Sequence, residues 1–200
     1  MTRTGYHHGD LRAALIDSGL QLTRTGGPEA LTIREATRRA GVSPNAAYRH
    51  FTDREALLGA VAIAIQDRMA ARMLEPANIR SSARSRAQTQ LRTVGLGYIE
   101  FALDEPGWFA VAFFGGSDLS TLNGDGLAPP FRALVEALDA MVDTGVLQPD
   151  QRIGAEWPCW SAVHGFAELA LRGPLRGTPR PDLEALAQRT VDCIIAGLAQ

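Results

Sequence analysis

Apolar positions recur at helical spacing through segment after segment, with Gly, Pro and capping residues between them. Leu11, Leu15, Ile16, Leu20 and Leu22 give most of one apolar face to a first helix over about 11–23, ended by Gly26-Gly27-Pro28. Ile33, Ala36 and Ala40 supply the small face of a second. Thr32 is its N-cap, and Glu35 three residues on completes a capping box. Gly41 closes it, where left-handed backbone ends a helix. Ser43 caps a third helix with Pro44 at its first position, where a missing N–H costs nothing. Asp53 caps a fourth, which runs through Leu57, Leu58, Val61, Ile65 and Met69 to about Leu74 and is stopped by Pro76. At ~1.5 Å per residue this helix can reach ~30 Å, enough to connect two domains.

The later pattern is also helical. A fifth helix covers about 82–104 and is broken by Glu105-Pro106-Gly107. Trp108 to Phe114 is the most aromatic run and reads as a short helix buried all round, or as a pocket wall. Residues 115–130 form a Gly/Ser/Asp/Pro segment of the kind that serves as a lid. Their Asp118, Asn123 and Asp125 do not have calcium-loop spacing. A helix over about 130–144 closes at Gly145. The eighth helix spans about 150–172, with Pro158 kinking it or marking its true start. Trp160 and His164 stack one turn apart on it, and Gly165 is expected to admit a neighbouring helix closely. The ninth, about 182–199, carries a wide stripe of Leu183, Leu186, Ala187, Val191, Ile194, Ile195 and Leu198. The pattern predicts an all-α chain of about nine helices.

The third helix has a legible wheel. Ala47 and Phe51 share the inward face; Asn45, Ala46 and Arg49 lie opposite; Tyr48 and His50 border them. Small and hydrogen-bonding groups on the outer face suit a helix laid in the major groove of DNA. Arg49 can donate two bonds to a guanine edge and Asn45 can read adenine, while Tyr48 and His50 are placed for phosphate oxygens.

Charge distribution agrees in direction. Residues 1–54 hold eight Arg and five acids, a balance of +3, whereas residues 55–200 hold twelve Arg and seventeen acids, a balance of −5. A basic head on an acidic body suits a protein that offers one end to DNA. Met1 to Gly5 reads as an arm in which Arg3 can reach a phosphate or minor groove. Tyr6-His7-His8-Gly9-Asp10 invites a metal reading, but adjacent histidines on an extended segment diverge, and Asp10 caps the first helix instead. No metal or cofactor is expected. Cys159 and Cys193 are isolated and read as small core residues. With neither a signal peptide nor a long apolar run, the chain is expected to be cytoplasmic and off the membrane.

Residues 6–58 resemble the DNA-binding domain of the tetracycline-repressor (TetR) family. The matching pieces are Leu31-Thr32-Ile33-Arg34-Glu35, Ala40-Gly41-Val42-Ser43, Ala47-Tyr48-Arg49-His50-Phe51 and Arg54-Glu55-Ala56-Leu57-Leu58. The resemblance implies a helix-turn-helix domain over 1–54, a ligand and dimerisation domain over 55–200, and a homodimer through the eighth and ninth helices. It adds Arg34 to the base-facing set of Asn45, Ala46 and Arg49. It implies phosphate contacts at Thr32, Ser43, Tyr48, His50 and Arg54, the last in place of a family Lys, with Pro44 against sugar or a thymine methyl. Trp160-x-x-x-His164-Gly165 resembles the C-terminal domain of one branch of these regulators.

The expected function is a repressor released from a palindromic operator by a small apolar ligand. Ligand contacts are expected from Trp108, Phe109, Phe113, Phe114, Phe131, Trp160, His164 and Phe166, with His164 the polar anchor. The alternatives are a helical enzyme using His164 and Glu168, or a constitutive DNA-binding dimer without ligand control.

Overall fold

A computed structural model describes residues 8–74, 82–114 and 127–198. In chain order it contains α1 (His8–Gly26), a 3₁₀ turn (Pro28–Ala30), α2 (Ile33–Ala40), α3 (Pro44–Ala47), α4 (Arg54–Met73) and α5 (Ala83–Asp104). Then come α6 (Pro106–Phe114), α7 (Pro129–Asp143), α8 (Pro149–Arg152), α9 (Glu156–Leu171) and α10 (Arg180–Leu198). The fold is all-α, and no described residue is in a strand. The single helix expected over 150–172 is two. Gly154 adopts φ +74°, which breaks the helical run, and Pro158 sits in the first turn of α9, where its missing N–H has no intrahelical partner to lose. Residues 1–7, 75–81, 115–126 and 199–200, with the side chains of 8–10 and of Phe114, lie outside the described set. The expectations for Arg3, the His7-His8 pair, the Asp10 cap, Phe114 and most of the 115–130 segment therefore also lie outside it.

The chain divides into two compact units, residues 1–66 with 105–124, and residues 67–104 with 125–200. The first has a core of Leu15, Leu31, Ala36, Ala47, Leu57 and Val61, each fully enclosed, closed by Phe109 of α6. Helix α6 and the residue before it are held on α1 by close backbone packing, an indole hydrogen bond and an ion pair. A Cβ on Gly107 would collide with the carbonyl oxygens of Thr23 and Arg24, so the two backbones meet with nothing between them. The Trp108 indole N–H donates to the Leu20 carbonyl at 2.8 Å. Arg24 donates to both Glu105 oxygens, at 2.8 and 2.5 Å, and lies 5.2 Å from the Trp108 ring centre.

In the second unit α5 is central and packs against α7, α9 and α10. Gly97 of α5 lets it pass the backbone at the end of α4, where a Cβ would come within 2.9 Å of Met73 Cα. No helix among the described residues is long and apolar enough to cross a membrane.

Candidate nucleic-acid interface

The interface is built by local chemistry. Thr32 Oγ1 accepts the Glu35 N–H at 3.1 Å and starts α2. The reciprocal half of the expected capping box is not made. The Glu35 carboxylate instead takes two bonds from Arg38, at 3.0 and 2.5 Å, which hold its pKa below the ordinary carboxylate value. Gly41 ends α2 at φ +70°, and the Val42 N–H reaches back to the Thr37 carbonyl at 3.0 Å. Ser43 Oγ then accepts the Ala46 N–H at 3.3 Å, with Pro44 first in α3.

Helix α3 is only Pro44–Ala47. Single turns carry the chain onward, the Phe51 N–H bonding the Ala47 carbonyl at 3.0 Å. The inward side falls as the wheel predicts. Ala47 is fully enclosed and Phe51 is buried, with the Arg12 guanidinium 5.4 Å from its ring centre. Thr32, Arg34, Ser43, Pro44, Asn45, Tyr48 and Arg49 are exposed, Tyr48 at 54%, while Ala46 and His50 are half-buried. Neither Arg34 nor Arg49 makes a side-chain hydrogen bond or ion pair among the described residues, so both guanidinium groups can take an incoming acceptor. The surface has the composition of a groove-reading face, with small groups at the centre and donors around them.

Arg54 departs from expectation. Its Nε donates to the Leu31 carbonyl at 2.7 Å and its Nη2 to the Pro28 carbonyl at 2.6 Å, with Nη1 3.2 Å from Glu55. The fork expected at a phosphate is engaged by the loop that enters α2.

The aromatic positions expected at a ligand divide. Trp108, Phe109 and Phe113 sit on α6 in the first unit, Phe109 enclosed and 4.9 Å from Phe113 between ring centres. Phe131, Trp160 and His164 come together in the second unit, where Trp160 is 5.3 Å from Phe131 and lies parallel to His164 at 6.5 Å; Phe166 is buried. The second unit also holds an apolar cavity of about 30 Å³. Met73, Leu91, Tyr98, Leu134, Cys159, Trp160 and Val191 are among the residues that line it. Of the seven expected ligand residues whose side chains are described, Trp160 alone is among them. Burial pushes the Cys159 thiol up to about 11, so it stays protonated and inert near neutral pH.

Tyr98 is the residue that sequence reasoning passed over. It lines the cavity, is 1% exposed, and its hydroxyl lies 2.8 Å from His164 Nδ1. A Tyr within an otherwise apolar helix face was the available signal, because a buried hydroxyl finds a partner. His164 itself is a half-buried, hydrogen-bonded histidine beside the cavity, not in its wall.

Burial lowers the His164 pKa below 6.5, with Glu168 opposing and Arg172 adding. The unfolded chain therefore takes up a proton at His164 before the folded chain does. The stability tied to neutral His164 is complete above about pH 6.5 and is lost as pH falls through the folded value. The melting temperature is expected to drop between about pH 7 and about pH 5 more steeply in the wild type than in His164→Gln. Equal slopes would show that His164 is not the titrating group.

These features define a helix-turn-helix DNA-binding protein with a separate helical unit carrying an apolar cavity. Residues 15–61 match the family model for bacterial regulatory proteins of the tetR family. Residues 91–194, over half of the chain, match the model for the tetracyclin repressor-like C-terminal domain. The chain belongs to the TetR family of bacterial transcriptional regulators.

Among solved structures, a protein of unknown function from Rhodococcus sp. RHA1 is 26% identical, with 99% of this chain and 100% of that one covered at a TM-score of 0.68. A TetR variant from Acinetobacter baumannii AYE in complex with minocycline is 21% identical, covering 92% and 94%, at 0.64. FadR from Bacillus subtilis in complex with stearoyl-CoA is 15% identical, covering 92% and 98%, at 0.69. The last two likenesses are of fold alone. No curated protein matches the chain.

Proposed function

We propose that the protein is a repressor that binds a palindromic operator as a homodimer and leaves it when a small apolar molecule enters the second unit. In functional terms residues 1–54 face DNA, and residues 55–200 take the ligand and the partner. One observation carries the DNA assignment. The surface of α3 and the turns after it, opposite buried Ala47 and Phe51, is exposed and bears Asn45 and Arg49, with Arg34 of α2 also exposed. Arg34, Asn45, Ala46 and Arg49 are assigned to base edges. Thr32, Ser43, Tyr48 and His50 go to phosphates, and Pro44 to sugar or a thymine methyl. A protein that works on operator DNA acts in the cytoplasm, and that location belongs to this proposal.

Arg49→Ala is expected to cost ~1–3 kcal/mol and to relax preference at one base pair of each half-site. The measurement is binding selection from a randomised duplex pool with wild type and variant. Identical selected sequences and affinities would remove α3 as the reader.

Ligand control rests on the cavity and on the family. A typical ligand pocket holds roughly 300–1,000 Å³, far more than this cavity. Binding therefore proceeds by expansion, with side chains around Trp160, Tyr98 and Met73 moving apart. The wall is apolar, which favours a lipophilic molecule, and related folds are known in complex with minocycline and with stearoyl-CoA. Met73, the last residue of α4, lines the cavity, while the first residue of the same helix, Arg54, is bonded to the loop before α2. Displacing Met73 tilts α4 and changes the separation of the two reading helices. Half-sites one turn apart demand ~34–36 Å, so a small tilt costs affinity.

An enzymatic role for His164 and Glu168 is less well supported. Tyr98 is bonded to His164 Nδ1, Arg172 is bonded to Glu168, and neither residue lines the cavity.

A further inference from the structure

We propose that Arg54 is a positioning residue for operator recognition, the joint that locks the entry of the helix-turn-helix to the first turn of α4, and not a phosphate contact. Leu31 lies between the 3₁₀ turn and α2, so neither element takes its carbonyl oxygen, and the residue is fully enclosed. A buried carbonyl must find a donor. Arg54 Nε supplies it at 2.7 Å, from 23 residues further along the chain. Nη2 of the same guanidinium reaches the Pro28 carbonyl at 2.6 Å, the oxygen that also closes the 3₁₀ turn by accepting the Leu31 N–H at 3.3 Å.

One planar fork thus bridges both ends of the 28–31 segment to the start of α4. Thr32, the next residue, is the cap that sets the direction of α2. Any rotation of α4 at its first turn is passed to α2, and through the Gly41 turn to α3. A lysine cannot replace the fork. Its ammonium is a point donor on a flexible stem and cannot hold two fixed carbonyl oxygens in one plane.

The inference rests on the reading that α2 and α3 meet DNA, and Arg49→Ala tests that reading separately. The experiment measures binding of wild type, Arg54→Ala and Arg54→Lys to two duplexes. One is recovered by the wild type from a randomised pool, and the other has scrambled sequence. Salt is titrated for each, at a temperature where circular dichroism shows every variant folded. A lost joint leaves phosphate contacts intact but misplaces the reader. Both variants are therefore expected to lose roughly tenfold or more on the selected duplex, keeping wild-type affinity for the scrambled one and a wild-type salt slope.

Three results would overturn the proposal. Wild-type binding by Arg54→Lys, with a slope reduced by about one phosphate in Arg54→Ala, would make Arg54 a phosphate contact. Equal losses on both duplexes would do the same. Lowered melting temperatures with unchanged affinity for the selected duplex would make its role one of fold stability alone. Should Arg54→Ala fail to fold, Arg54→Lys, which keeps the charge and most of the stem, decides the question by itself.

Discussion

Gly165→Arg is expected to leave a folded helical chain that no longer dimerises and has lost roughly 10²–10⁴ in operator affinity, the factor that two linked half-site contacts supply. Gly165 was expected to admit a neighbouring helix, yet a Cβ there meets nothing within 4 Å among the described residues. The position is therefore free for a second copy. Exposed Ser161 lies one turn before it and Leu169, 46% exposed, one turn after. On α10 the outward positions are Leu186, 37% exposed, Cys193, which is exposed and not the core residue expected, and Gly197, where a Cβ would again meet no described atom. Small and apolar outward residues on two adjacent helices are the surface a four-helix dimer interface needs.

A Cβ at this position meets no described atom, and replacing a helical glycine gains up to ~1 kcal/mol in propensity, so the protomer is expected to stay folded. Ile194→Glu is a poorer choice, because Ile194 and Val191 line the cavity and the change would damage the protomer itself. Sedimentation velocity at micromolar concentration, with circular dichroism as the control, checks the outcome. A Gly165→Arg chain that remains a dimer would place the interface elsewhere.

The second large effect is at Gly107. Gly107→Ala is expected to destabilise the first unit by about 3 kcal/mol, the upper range for overpacking. The added carbon meets backbone carbonyl oxygens of Thr23 and Arg24, which cannot rotate away as a side chain would. Relief requires α6 to lift from α1, breaking the Trp108–Leu20 bond and the Arg24–Glu105 pair. That pair is partly exposed and contributes little by itself. The indole bond and the enclosed Phe109 contribute more. Gly59→Ala is the control. Gly59 lies within α4, its Cβ meets nothing, and the change is expected to raise stability by up to ~1 kcal/mol. Urea unfolding of both variants gives the comparison. A Gly107→Ala midpoint equal to that of the wild type would show that the α1–α6 contact is looser than its geometry.

The helix-turn-helix was legible residue by residue because the interactions that make it are short in sequence. The Thr32 and Ser43 caps bond three residues ahead, and Asp53 likewise caps α4 through the Ala56 N–H at 2.7 Å. Gly41 acts on its own backbone, and the inward face of α3 follows from helical period alone. Periodicity also gave the all-α class, but not the 3₁₀ turn at Pro28–Ala30, the shortness of α3 or the break at Gly154, where a local φ overrode an otherwise continuous apolar pattern.

What the sequence did not determine is which face meets which. Trp108 bonds a carbonyl 88 residues away, Tyr98 a histidine 66 away, and Arg54 two carbonyls 23 and 26 away. Aromatic content predicted one ligand wall, but hydrophobic burial is non-directional, so nothing in the pattern of Trp108, Phe109 and Phe113 distinguishes packing on α1 from facing a cavity. The same holds for Glu35, where the reciprocal cap and the pair with Arg38 are equally local, and for Arg54, whose charge suits a phosphate or a carbonyl alike. In each case only the tertiary packing, by fixing which acceptor lies within about 3 Å of the donor, decided between them.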